Sequence, residues 1–254
     1  MPVTLACTTH DPNGNLASLL ERWLPEVLKR FKTMVVSSSP GLNRATHNLL
    51  SANGVEVHVL DQNDIGVNYR TAIREGSKHG DIFYVDLDRI LHWASTYPDE
   101  LDRARTELNG KEWVLFERSV RALATHQRPL VETEKLFTIV VNAMSGWGMH
   151  DYLSGAFFLG KPTAEILNHK LTRTGQDWWG EYYITLLQAG CTPHFIACEG
   201  LEWETPDRFE KEIAAMGLEA WRARFETPDE WALRTRWATD FIEGALTTWR
   251  RKDL

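Results

Sequence analysis

Cysteine is scarce in this chain: three in 254 residues, at Cys7, Cys191 and Cys198. Thiols so few and so spaced make neither a disulfide framework nor a zinc-ligand set, and buried free thiols in a reducing compartment are expected. Basic charge is not in excess either. Lys and Arg number 28 against 35 Asp and Glu, a formal net charge of −7. That argues against a duplex nucleic-acid binder working through a broad basic face, while a local basic pocket for a phosphorylated small molecule stays open. Long apolar runs are missing. No stretch approaches the roughly 20 uncharged residues of a membrane span, and no basic segment leads into an apolar one at the N-terminus. No transmembrane segment, no secretory signal and a cytoplasmic location are therefore expected. Neither G-x-G-x-x-G after the first strand nor G-x-x-x-x-G-K-[ST] occurs, so dinucleotide and P-loop chemistry are unsupported. There is no fixed-period repeat and no low-complexity tract.

What is present is ordinary globular material, 43% apolar and 25% charged, enough for one large domain or one and a half. Short β-branched runs at Val3–Thr9, Thr33–Ser38 and Val55–Leu60 alternate with helical periodicity at Leu16–Phe31, Leu42–Ala52 and Val67–His79. Further strands are expected at Ile82–Val85, Glu112–Phe116, the apolar part of Asp151–Gly160, and Pro193–Cys198. Helices are expected at Pro98–Leu108, Lys161–Leu171, Gln176–Ala189 and through most of the chain after Asp207. This alternation predicts an α/β fold, a mainly parallel sheet flanked by helices. Residues 1–206 are expected to form the α/β domain, with 207–254 as a helical extension packed on it. Ligands of such sheets sit outside the C-terminal strand ends, which groups Thr8, His10, Asp11, Ser37, Asp61, Asn68, Arg70 and Asp86 along one edge.

Gly80–Trp93, GDIFYVDLDRILHW, is the most informative stretch. If the strand continues through it, alternation aims Asp86 and Asp88 at one spot at a strand end. Two carboxylates that close repel unless a cation lies between them, and Mg²⁺ or Mn²⁺ prefers oxygen ligands completed by substrate phosphates. The alternative is a D-x-D tripeptide capping a loop or helix start.

The ordered pieces Thr9-His10-Asp11, Asn63–Arg70, Tyr84–Asp88, Leu153–Phe157, Asp177-Trp178-Trp179 and Glu199–Glu204 resemble a GT-A-type glycosyltransferase, of the nucleotide-diphosphosugar transferases. The resemblance implies a metal-dependent transferase that moves a sugar from a UDP- or GDP-sugar donor to an acceptor hydroxyl. It implies a D-x-D, here Asp86 and Asp88, holding Mn²⁺ or Mg²⁺ on the donor diphosphate. It implies loops after the first strands holding base and ribose, and, in inverting members, an acidic residue of the second half acting on the acceptor. Ser37-Ser38-Ser39 stands where many members carry an Asp for the base, which leaves the nucleotide unassigned.

The remaining candidates each carry two readings. Asn68 and Arg70, near a helix N-terminus, suit a diphosphate or form an exposed first turn. Thr8, His10 and Asp11 contact base or ribose, or make an ordinary turn with Asp11 bonding its own backbone; Asp61 has the same two readings. Gly155, in Ser154-Gly155-Ala156, lets a sugar ring approach the backbone, or serves a tight lead into a strand. Asp177 is the candidate base, with Glu181 four residues on, unless both simply complement a helix dipole. The aromatic-rich C-terminal stretch packs a core, or forms a dimer surface or acceptor site. Two rival functions are a nucleotidyltransferase on a similar sheet, disfavoured by the lack of Lys or Arg in Thr8–Asn15, and a non-catalytic nucleotide-sugar or carbohydrate binder.

Overall fold

The structure, a computed structural model, describes residues 3–251; the ends of the two expected domains, residues 1–2 and 252–254, lie outside it. Its order begins β1 (Val3–Thr9), α1 (Ala17–Arg30), β2 (Thr33–Ser38), α2 (Arg44–Ala52), β3 (Glu56–Val59), α3 (Ile65–Ser77), β4 (Asp81–Val85), α4 (Leu87–Thr96) and α5 (Pro98–Thr106). It continues β5 (Trp113–Arg118), α6 (Val120–Ala124), α7 (Arg128–Ser145), β6 (Ala156–Leu159), α8 (Lys161–Lys170), α9 (Trp178–Gln188) and β7 (His194–Cys198). A 3-10 turn at Thr205–Phe209 then leads to α10 (Glu210–Met216), α11 (Leu218–Ala223) and α12 (Pro228–Arg250).

The strands form one seven-stranded sheet in the order β3-β2-β1-β4-β6-β5-β7. β6 runs antiparallel to both neighbours, β4 and β5, while the other pairings are parallel. The fold is thus α/β with a mixed, mostly parallel sheet. Alternation along the strands divides the core in two. Leu5, Cys7, Phe83, Val85, Val114 and Phe116 face a layer that includes α1, α4 and α5. Ala6, Ile82, Tyr84, Trp113, Leu115 and Phe157 face the opposite layer of α3, α7, α8, α9 and α12. Both faces are covered, which is why Ile82-Phe83-Tyr84-Val85 is apolar without interruption.

Local chemistry fixes the helix ends. Asn43 accepts from Ala45 N at 2.9 Å to cap α2, and Thr227 accepts from Glu230 N ahead of Pro228 to start α12. α12 packs closely on α9 because Gly180 and Gly244 lie at the crossing. A Cβ on Gly180 would overlap the Phe241 carbonyl oxygen, and one on Gly244 the Asp177 carbonyl oxygen. Among the described residues no helix is long and apolar enough to cross a membrane.

One expectation about the central stretch is corrected here. The strand stops at Val85; Asp86 is the residue before α4, with φ −61° and ψ 147°, and Asp88 lies in that helix's first turn. The strand rule therefore does not relate the two carboxylates. Residues 118–146, given no element from sequence, hold α6 and α7. A smaller correction concerns Cys191, which is only half-buried whereas Cys7 and Cys198 are buried.

Candidate functional site

The chain adds β2 and β3 outward from β1, then returns to place β4 on the other side of β1. The carboxyl ends of β1 and β4 thus flank a topological switch point, where open α/β sheets form a ligand crevice. Three side chains meet there. Thr8 Oγ1 donates to Asp86 Oδ1 at 2.8 Å, Tyr84 OH donates to the same oxygen at 2.9 Å, and the two hydroxyls lie 2.7 Å apart. Asp86 Oδ2 accepts no hydrogen bond among the described residues, and faces Gly155. Burial pushes the Asp86 carboxyl up to about 6; Arg89 opposes that shift, and Asp88 adds to it.

Asp86 opens into a cavity of about 220 Å³ that it shares with Tyr69, Arg89, Glu134, Gly155 and Trp179. Gly155 has φ +72°, and a Cβ on it would come 2.8 Å from Arg89 Nη1 and 3.2 Å from Asp86 Oδ2, so glycine is required on both counts. Arg89 is fixed by the Ser154 carbonyl and by Glu204, at 3.2 and 3.3 Å. Arg234, whose guanidinium lies 4.6 Å from the Trp237 ring centre, and Trp237 itself close the far side from α12. Glu134 is the acid of this wall. Burial raises its pKa, Arg118 works against that, and Asp151 adds to it. Arg118, fully inside, donates to Glu134 Oε2 at 2.5 Å and to both oxygens of Asp151 at 2.6 Å.

Asp88 points elsewhere. Its Oδ2 accepts from Arg208 Nη1 at 3.0 Å, and Arg208 Nη2 reaches the His10 carbonyl at 3.1 Å. Arg208 also stands 3.8 Å from Asp11 Oδ1, so the 3-10 turn lies across the end of β1. The two aspartates thus border the crevice from different sides, and both add to the field that, after burial, raises the Cys7 thiol pKa.

Of the residues expected from sequence, Thr8, Asp86 and Gly155 come together. His10 bonds Ser39 at the edge of the crevice, and Asp11 is buried with both oxygens engaged by Asn15 N, Leu16 N and Thr46 Oγ1. Ser37 lies inside β2 with no partner for its Oγ among the described residues; Asp61 is exposed past β3. The N-terminus of α3 is covered by the segment after α8: Gly66 N donates to Thr174 O at 2.7 Å, and Arg70 donates to Thr172 O at 3.1 Å. Asn68 is buried in that helix. Asp177 accepts from Arg173 at 2.7 Å and is not in the cavity wall, whereas its neighbour Gln176 is. Glu181 is buried and holds Thr172 and Arg173 through three hydrogen bonds.

Sequence reasoning missed Glu134, Arg208 and Arg234; Trp237 belongs to the aromatic C-terminal stretch read as core, dimer surface or acceptor site. Glu134 carried a usable signal. It falls three and seven residues before Phe137 and Val141, an acid on the inward stripe of an amphipathic helix. Arg208 carried none, because its contacts at Asp88 and His10 lie 120 and 198 positions away in the chain. Searches with the sequence find no matching family model and no matching curated protein.

Proposed function

We propose that this protein is a glycosyltransferase of the GT-A type. It binds a UDP- or GDP-sugar with the diphosphate in the β1/β4 crevice and the sugar in the adjoining cavity, and passes the sugar to an acceptor hydroxyl. The observation that carries the reading is Asp86: a carboxylate at the switch point, anchored through one oxygen by Thr8 and Tyr84, with the other turned toward a cavity of about 220 Å³. That volume is below the range usual for drug-sized ligands and suits a single sugar ring. Trp179 and Trp237 supply the apolar wall such rings favour, and Arg89 and Glu134 the polar contacts.

The donor set fits Mg²⁺ or Mn²⁺ through Asp86 Oδ2, since these ions take one or two carboxylates and complete their shells with phosphate and water. Asp88, held by Arg208 on the other side of the crevice, would join Asp86 as a ligand only if that ion pair opened. When bound, the ion would neutralise charge on the departing nucleoside diphosphate. The protein's own groups do the rest. Arg89 and Arg208 place guanidinium charge on either side of the crevice mouth, where the diphosphate gains its electron pair as the anomeric C–O bond breaks. Glu134, rather than Asp177, faces the cavity. With its proton affinity raised by burial, it is the group suited to take the acceptor hydroxyl's proton.

The ion pair between Arg208 and Asp88 favours a second reading, a nucleotide-sugar binder without turnover. Incubation with a panel of UDP- and GDP-sugars and Mn²⁺ separates the two. The transferase reading expects release of nucleoside diphosphate from at least one donor, abolished in Asp86→Asn; binding without release leaves only the second reading, and no binding removes both.

A further inference from the structure

The outermost strand of the sheet, β3, carries Glu56 and His58 two residues apart on the face turned to α3, while Val57 between them packs against the opposite core. α3 brings Glu75 over that face in its last turn, and His79 follows just past the helix. The donor atoms converge. His58 Nε2 lies 2.7 Å from Glu56 Oε1 and 4.0 Å from Glu75 Oε2. One donor atom from each of these three residues falls within 4.8 Å of the other two. His79 Nε2 lies 3.0 Å from the remaining Glu56 oxygen, Oε2. The group is open to solvent on the β3 side, where the Glu56 and His58 side chains are 41% and 32% exposed.

One imidazole nitrogen and two carboxylate oxygens suit a borderline divalent cation. Mg²⁺ and Ca²⁺ prefer shells of oxygen alone, whereas imidazole favours Zn²⁺ and its transition-metal neighbours. Zn²⁺ holds such donors at about 2.0–2.2 Å, which sets neighbouring donors roughly 3.3 Å apart on a tetrahedron. The separations from His58 Nε2, 2.7 and 4.0 Å, lie on either side of that value, so small side-chain adjustments close the site. Both carboxyls are held below their ordinary pKa. Burial works the other way, but His58 and His79 outweigh it at Glu56, and Lys78 and Arg74 at Glu75. His79, on the far oxygen of Glu56, is the kind of outer partner that orients a ligating carboxylate. Lys78 is the competitor. Its ammonium pairs with Glu75 Oε2, the oxygen an ion would take. The Lys78 side chain is 60% exposed, and so exposed an ammonium contributes little and can turn to water when a doubly charged ion arrives. Arg74 meanwhile stays on Glu75 Oε1 at 2.8 Å.

We propose that Glu56, His58 and Glu75 form a transition-metal site of the Zn²⁺ type, with His79 orienting Glu56 and water in the remaining position. His58 ligates through Nε2 as a neutral ring that keeps its proton on Nδ1. The site shares no residue with the cavity at Asp86. An ion there ties the outermost strand to the C-terminal end of α3 and, through His79, to the approach to β4.

The test is calorimetric titration of the full chain with Zn²⁺ in the absence of nucleotide. Saturable binding of one ion is expected. Glu56→Gln and His58→Ala, both at solvent-facing positions, are each expected to weaken it about tenfold or more, with the thermal midpoint of the metal-free protein little changed. Lys78→Met removes the competing ammonium and is expected to tighten binding about two- to fivefold. Asp86→Asn is expected to bind Zn²⁺ as the wild type does. Absence of saturable binding, binding indifferent to His58→Ala or Glu56→Gln, binding lost in Asp86→Asn, or binding not tightened by Lys78→Met would overturn the assignment. None of these outcomes depends on whether a nucleotide-sugar binds at Asp86.

Discussion

Replacing Arg118 by Met leaves two buried carboxylates without their cation. The Arg118 side chain is 2% exposed and donates to Asp151 twice at 2.6 Å and to Glu134 at 2.5 Å. Breaking a buried pair from one side costs about 3–5 kcal/mol, because the remaining charge is neither solvated nor compensated. At roughly 2–4 °C per kcal/mol for a chain of this size, the melting point should fall on the order of 6–20 °C. The loss has a pH signature. Burial pushes the Asp151 carboxyl up, but Arg118 outweighs it and holds the pKa below the ordinary value, so its contribution is present above that value and lost as pH falls. Without Arg118, both carboxyls take folded-state pKa values above their unfolded ones. Their contribution is then present at low pH and lost as pH rises through the folded values. The deficit of Arg118→Met should thus be largest near pH 8 and shrink toward about pH 5. Urea denaturation followed by tryptophan fluorescence at the two pH values measures it. The triple variant Arg118→Met, Glu134→Leu, Asp151→Leu should regain much of the loss near pH 8, since an apolar replacement needs no compensation. A deficit under about 1 kcal/mol, or one equal at both pH values, would refute the reasoning.

Gly180→Ala should destabilise by about 1–3 kcal/mol or more, since the added methyl meets α12 backbone rather than a movable side chain; the melting point of the variant checks this, and an unchanged value contradicts the packing described. His92 ties α4 to Glu202 at 3.1 Å and to Asp207 at 2.7 Å; burial lowers its pKa, but these carboxylates outweigh it and raise it above the ordinary value. That link is complete below the ordinary imidazole range and lost as pH rises through the raised folded value. Limited proteolysis within 202–209 should therefore accelerate above neutral pH in the wild type, and be rapid and flat with pH in His92→Gln; a flat wild-type profile contradicts it.

The frame of the molecule was legible in residues 3–85. Strand runs such as Thr33–Ser38 and helical stripes such as Leu16–Phe31 are local signals, and periodicity reports them directly. The direction of β6 was not legible, because Ala156–Leu159 reads as a buried strand whichever way it runs. At the site, Thr8 and Asp86 were found because strand ends converge on a sheet edge, and Gly155 because a residue without a side chain lets another group approach the backbone. Asp88 was read through strand alternation, but Asp86 already turns the chain into α4, so the aspartates take different partners. Arg70 and Asn68 were read as an open helix N-terminus; the Thr172–Thr174 backbone that covers it is an arrival from about a hundred residues away. Asp11 shows the reverse. A residue at a strand end, consistent with ligand binding, spends both oxygens on its own loop and on Thr46.

The central claim is that the β1/β4 crevice takes a nucleoside diphosphate beside Asp86. Calorimetric titration of UDP and of GDP in the presence of Mn²⁺, into the wild type and Asp86→Asn, tests it most directly. The account predicts saturable binding of at least one nucleotide by the wild type, weakened about tenfold or more by the substitution, as loss of a charge-assisted contact implies. No binding of either nucleotide, or equal binding by the two proteins, would contradict it.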